Sequence, residues 1–203
     1  GRYVDTPVLI GSNADEGSIF VPASDGAAFG DMLQRTGAHA DALGRAYPHR
    51  DAAQRLSASR DMLRDSLFGW TAWKWARLQS QRKGGAPVYA YYFDYGVPGM
   101  KGLPPGAVHG GENFYVFGML ENPTAEQQAV SNLMMSYLVN FARTGDPNGP
   151  GLPSWRAFEP GAERMMRLNA SPGLGATPNL PQIEAMDGYF DSMRRPAGGA
   201  RRR

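Results

Sequence analysis

Pro87-Val88-Tyr89-Ala90-Tyr91-Tyr92-Phe93-Asp94 is the segment that most restricts how this chain can fold. It is dense in aromatic side chains, carries no apolar stripe at helical spacing, and reads as a strand. A second short apolar run, Pro7-Val8-Leu9-Ile10-Gly11, is partly β-branched and closed by Gly, as suits a buried strand that opens into a loop. Between the two lies a helical pattern that runs from Ala27 to Gln81. Strand, polar loop, helices, strand, loop is the order of an α/β protein with a parallel sheet. In such proteins sites are built on loops at the carboxyl ends of the strands.

Two loops therefore matter. The first, Ser12-Asn13-Ala14-Asp15-Glu16-Gly17-Ser18, is polar and turn-prone. The second runs from Tyr95 to Val108 with four Gly and three Pro, and delivers His109 just before an aromatic run, Phe114 to Phe117. From Ala27 to Leu67 the pattern predicts short helices broken by Gly37, Gly44 and Pro48. Phe68 to Gln81 reads as a helix apolar around much of its girth, expected to be buried on more than one side. Thr124 to Thr144 is a long helix with Thr124 as N-cap, Gln127 as its capping-box partner and Gly145 as its stop. The region around Trp155, Phe158, Met165 and Leu168 is expected to be extended edge structure. A last helix is expected near Gln182 to Arg194.

Composition narrows the function classes. The chain has 203 residues, 42% of them hydrophobic and 20% charged, enough for one domain with a substantial core or for a large piece of something bigger. No apolar run is long enough to span a bilayer. No cysteine is present, so disulfides, thiol chemistry and cysteine-bound metal are excluded. The net charge of +2 depends on Arg194, Arg195, Arg201, Arg202 and Arg203; without those five it is −3. The body is thus mildly acidic and lacks the basic, aromatic-studded surface of a nucleic-acid binder. Residues 1–193 are expected to form one unit and 194–203 a basic, disordered tail.

His39 and His49 sit in polar helical contexts and read as surface residues. No HExxH or HxxxH pair suggests a zinc site, and neither GxxxxGK[ST] nor GxGxxG suggests a nucleotide, so no metal and no organic cofactor is expected. Glu16 and His109 differ, because each follows a strand across a loop. A carboxylate beside an imidazole can fix its tautomer and offset its charge while the imidazole takes a proton from a serine. Glu before His also obeys the last two steps of the order Ser, acid, His. On spacing alone, a structural role for the pair fits as well as a catalytic one. No serine of this chain lies in a G-x-S-x-G elbow, so a nucleophile for this pair is expected to precede Gly1.

Several ordered motifs resemble one family. Asn13-Ala14-Asp15-Glu16-Gly17-Ser18-Ile19-Phe20 resembles the segment of type-B carboxylesterases that carries the triad glutamate, and Val108-His109-Gly110-Gly111-Glu112 the segment that carries the triad histidine. Tyr137 to Asn148 is similar to the family's late helix and turn, with Leu138 in place of the usual Trp. Asp65-Ser66-Leu67-Phe68 and Leu152-Pro153-Ser154-Trp155 follow in family order, with Arg156 where Pro is usual. The lack of cysteine is nearer to bacterial members.

The resemblance implies the C-terminal portion of an α/β-hydrolase fold, incomplete without an N-terminal half that would be its partner and would supply serine and oxyanion hole. It implies a small-molecule ester as substrate, Glu16 as triad acid, His109 as general base, and Ile19 and Phe20 at positions that line the substrate gorge. For Ile19 and Phe20 a packing role fits equally well. Glu112 matches a buried acid that supports the pair from behind. The compartment stays open, with a secreted or periplasmic site compatible with the resemblance. A second class shares these motifs: a non-catalytic, cholinesterase-like recognition domain of the neuroligin kind.

Overall fold

The computed structural model describes residues 4–23, 28–97 and 104–194. In chain order the elements are β1 (Val8–Asn13), α1 (Ala28–Arg35), α2 (Ala40–Ala46), α3 (Ala52–Arg64), α4 (Trp70–Ser80), β2 (Val88–Phe93), α5 (Glu112–Val116), α6 (Ala125–Thr144), β3 (Arg164–Leu168), β4 (Gly173–Ala176) and α7 (Leu180–Arg194). Among the described residues the strands form one sheet in the order β1-β2-β3-β4. β1, β2 and β3 run parallel, and β4 returns antiparallel along β3.

Both faces of the sheet are covered because β2 alternates its side chains between two cores. Tyr89 and Phe93 join Tyr115, Val130, Met134, Tyr137, Trp155 and Met166 on the side of α6. Val88 and Ala90 join Trp73, Ala76, Met165 and Ile183 on the side of α4 and α7. An all-apolar strand is the sequence of a strand with no wet face. A third core, of Phe29, Leu43, Tyr47, Ala58, Met62 and Met186, ties α1, α2 and α3 to α7.

α6 starts where its capping box does: the Thr124 side chain accepts from Gln127 N–H, and the Gln127 side chain accepts from Thr124 N–H. It ends at Gly145, whose φ of 77° is left-handed backbone and whose missing Cβ would stand 2.7 Å from Pro7 Cγ. β1 thus begins against the end of α6.

Three expectations need correction. Gly44 does not break a helix but lies inside α2, where Leu43 beside it is fully buried and its packing outweighs a weak helix former. α4 buries Ala72, Trp73 and Ala76 on one side only, while Trp75 and Leu78 are 51% and 55% exposed. The segment with Met165 and Leu168 is not edge structure: β3 is flanked by β2 and β4, and β4 is the edge. α3 and α4 also join through a π-helical turn, Asp65–Gly69, which the periodicity did not reveal. Of the basic tail, Arg194 closes α7, and 195–203 lie outside the described residues.

Candidate active site

β1 and β2 pair in register from Val8 with Val88 to Asn13 with Phe93, so their carboxyl ends finish side by side. The pairing then continues into the loops. Ala14 N–H donates to Phe93 O at 2.9 Å, Asp15 N–H donates to Ala107 O at 3.0 Å, and Asp15 and Val108 form a parallel bridge. Glu16 and His109, 93 positions apart, each stand one residue beyond that bridge. Asn13 strengthens the join by donating its side-chain amide to Val108 O at 2.8 Å and to the Glu112 carboxylate.

His109 Nδ1 and Glu16 Oε2 are 2.6 Å apart, a short hydrogen bond between imidazole and carboxylate. The other carboxylate oxygen, Oε1, accepts the Asn13 backbone N–H at 2.7 Å. Glu16 is buried, whereas the His109 side chain is 42% exposed, so the acid is covered and the ring faces outward. Burial pushes the Glu16 carboxyl above its ordinary 4.5; the Asn13 N–H and His109 pull it back, and Glu112 adds to the rise.

The acid loop is gripped by α3. Gly17 lies so close to Arg60 that a Cβ would stand 2.2 Å from the Arg60 carbonyl oxygen. Arg60 Nε donates to Val21 O at 3.1 Å, and Arg64 Nη1 donates to Ala14 O at 3.2 Å. Arg64 is itself held by Asp61 and by buried Asp65, which also accepts the Tyr47 hydroxyl at 3.0 Å. Burial pushes the Asp65 carboxyl upward, opposed by its bonds to Arg64 and Tyr47.

Ile19 and Phe20 follow the acid on the same loop and are 36% and 49% exposed. The Phe20 ring centroid is 5.4 Å from that of His109, so it stands beside the imidazole. The structure therefore brings Glu16, His109 and Phe20 together. His39 packs its ring on Tyr189, and His49 bonds Tyr47 O; neither takes part in the site. Among the described residues no three His, Asp or Glu side chains are grouped to hold a metal ion. No helix among them is long and apolar enough to cross a membrane.

A family model of the carboxylesterase family matches residues 2–185. The chain belongs to the carboxylesterase family. Among curated relatives, this carboxylesterase chain is 38% identical over 131 residues to cocaine esterase of Homo sapiens, covering 60% of the chain and 23% of the relative. It is 35% identical over 127 residues to carboxylesterase 1D of Rattus norvegicus, covering 60% of the chain and 22% of the relative. Among solved structures, a PNB esterase superposes with a TM-score of 0.67 at 27% identity, covering 89% of this chain and 38% of that one. The fold is that of the α/β-hydrolase type, and the chain spans only part of the length of these carboxylesterases.

Three contributors escaped the sequence reading. Asn13 heads the segment that resembles the family's glutamate motif, but nothing in the sequence shows its side chain bridging to Val108 and Glu112. Arg64 reads as an ordinary charged helix position. Phe68, whose ring lies 4.7 Å from that of His109, stands in the sequence only as part of a family-ordered segment and at the head of an apolar helix, with no sign that it meets the histidine. A cavity of about 250 Å³ is lined among others by Leu9, Tyr91, Glu112 and Trp155. Glu112, which accepts the Asn13 side-chain amide, is one of its walls.

Proposed function

We propose that this carboxylesterase chain supplies the acid and the base, Glu16 and His109, of a Ser-His-Glu triad that hydrolyses carboxylic esters. The nucleophilic serine and the oxyanion-hole donors belong to polypeptide outside these 203 residues. The observation that carries this reading is the 2.6 Å bond from His109 Nδ1 to Glu16 Oε2, with the acid buried and the ring facing outward.

Chemically, a carboxylate on Nδ1 keeps the proton there and leaves Nε2 as the basic nitrogen. Nε2 takes the serine proton as the hydroxyl attacks the ester carbonyl, and Glu16 offsets the imidazolium charge that forms. Backbone N–H groups of the partner portion hold the oxyanion. His109 returns the proton to the leaving alcohol, and water then releases the acid by the same route. Phe20, whose ring stands beside that of His109, and Ile19, its exposed neighbour in sequence, contact the acyl or alcohol group.

Reconstitution tests the proposal. The chain alone should not hydrolyse p-nitrophenyl acetate above background, whereas the chain joined to the nucleophile-bearing portion of its protein should. His109→Asn should remove nearly all of that activity, and Glu16→Gln most of it, since loss of a triad member costs orders of magnitude in rate. Serine-dependent turnover by the chain alone, or full turnover with His109→Asn, overturns the proposal.

A further inference from the structure

The π turn Asp65–Gly69 stands at the edge of the site and has no role in the reading above. Trp70 N–H donates to Asp65 O, five residues back, so one extra residue is inserted between α3 and α4. Relative to the frame of α3, that residue turns everything after it by about 100°. The turn is held from below. Asp65 is 1% exposed and accepts bonds from Arg64 Nε at 2.8 Å, Arg64 Nη2 at 3.0 Å and the Tyr47 hydroxyl at 3.0 Å.

The product of this turn is the placement of Phe68. Its ring centroid is 4.7 Å from that of His109 at 38° between planes, and 6.4 Å from that of Phe20 at 19°. Phe20 in turn is 5.4 Å from His109. The two phenyl rings cluster around an imidazole bonded at a single nitrogen: among the described residues, Nε2 has no hydrogen-bond partner. One hydrogen bond leaves a ring free to rock and turn about its χ angles. The short bond to Glu16 favours one tautomer, and exposure of the side chain leaves the plane of the ring to rock about that bond.

We propose that Phe68, carried to the base by the π turn, is a positioning residue that packs on the His109 imidazole and holds Nδ1 on Glu16. It acts through His109 and touches no reacting atom. The inference rests on the triad reading for its catalytic meaning, but the geometry it asserts belongs to this chain alone.

The test is the tautomer of the neutral ring, read in the 203-residue chain by ¹H–¹⁵N correlation of the imidazole nitrogens at about pH 9, above the usual histidine range. The parent should show protonated Nδ1 and bare Nε2. Phe68→Ala should raise the Nε2–H fraction by about threefold to tenfold, the scale of a lost aromatic pair. Phe68→Tyr should restore the parent spectrum. Phe68→Leu, which keeps apolar volume without a ring face, should fall on the side of Phe68→Ala.

The β1 and β2 amide resonances report whether the sheet is intact; where Phe68→Ala disturbs them, Phe68→Leu decides. A parental tautomer balance in the deciding variant overturns the proposal. Esterase activity does not enter this readout, so a failed reconstitution leaves it standing and a failed tautomer shift leaves the triad standing.

Discussion

Glu16 is a carboxylate held where the protein disfavours its charge. Burial raises its pKa above 4.5, and its bonds to Asn13 N–H and His109 recover only part of that cost. The sign of the consequence follows. Between 4.5 and the raised value, the folded chain keeps a proton that the unfolded chain has released, so this group's stabilisation is full below 4.5 and declines as pH rises through the window. Glu16→Gln removes that dependence. Urea midpoints at pH 4 and pH 7 should show the parent losing ground to the variant as pH rises; a gap that is constant or reversed contradicts the raised pKa. Gly17 is a second residue with a measurable role. A Cβ 2.2 Å from the Arg60 carbonyl oxygen forces loop and helix apart, so Gly17→Ala should cost about 1–3 kcal/mol in urea unfolding. It should also weaken the His109 Nδ1–H signal, because the acid loop moves with it.

At the level of elements, what could be read from the sequence was what is locally encoded. The Val88–Phe93 strand is written in its own side chains, and α6 in its capping box and terminal Gly. Thr124→Ala should therefore cost about 1 kcal/mol, seen as a lower thermal midpoint, with the site geometry unchanged. The loop pair carrying Glu16 and His109 was visible because motif and topology agreed. The π turn was not visible, because its cause is tertiary. Asp65 settles there only when Tyr47 and Arg64 surround it, and an inserted residue erases the 3.6-residue rhythm that would expose Phe68 as facing the site. Tyr47→Phe tests that account. It removes one donor from a buried carboxylate and should cost about 1.5–3 kcal/mol, the scale for a hydrogen bond to a charged group. The order of β3 and β4 was hidden for a similar reason, since both are short and their partners are distant in sequence.

At the scale of the whole molecule, β1 has a neighbour on one side only among the described residues. Val8 N–H donates to Pro87 O, and by the alternation of a strand the Leu9 and Gly11 amides face the open side. An unpaired parallel edge that also presents Leu9 to a cavity is a surface that recruits another strand. If the nucleophile-bearing portion covers it, hydrogen exchange at Leu9 and Gly11 should be fast in the chain alone and slow strongly on reconstitution, while exchange in α6 changes little. Equal rates in both states would show that the other portion docks elsewhere. The exposed Trp75 and Leu78 on α4 add apolar surface, so the chain alone should associate as its concentration rises, as light scattering would show.

The parallel register of β1 on β2 also works as a ruler with coarse divisions. Sliding β1 by one residue would carry Glu16 about 3.3 Å along the strand and turn every β1 side chain to the opposite face. The Asn13 contacts to Val108 and Glu112 and the Asp15–Val108 bridge would all be lost in the same step. Between those marks there is no intermediate stop. Sequence drift within these two strands should thus leave the spacing of Glu16 and His109 either intact or gone, and graded tuning of the pair must come from the side chains packed around it.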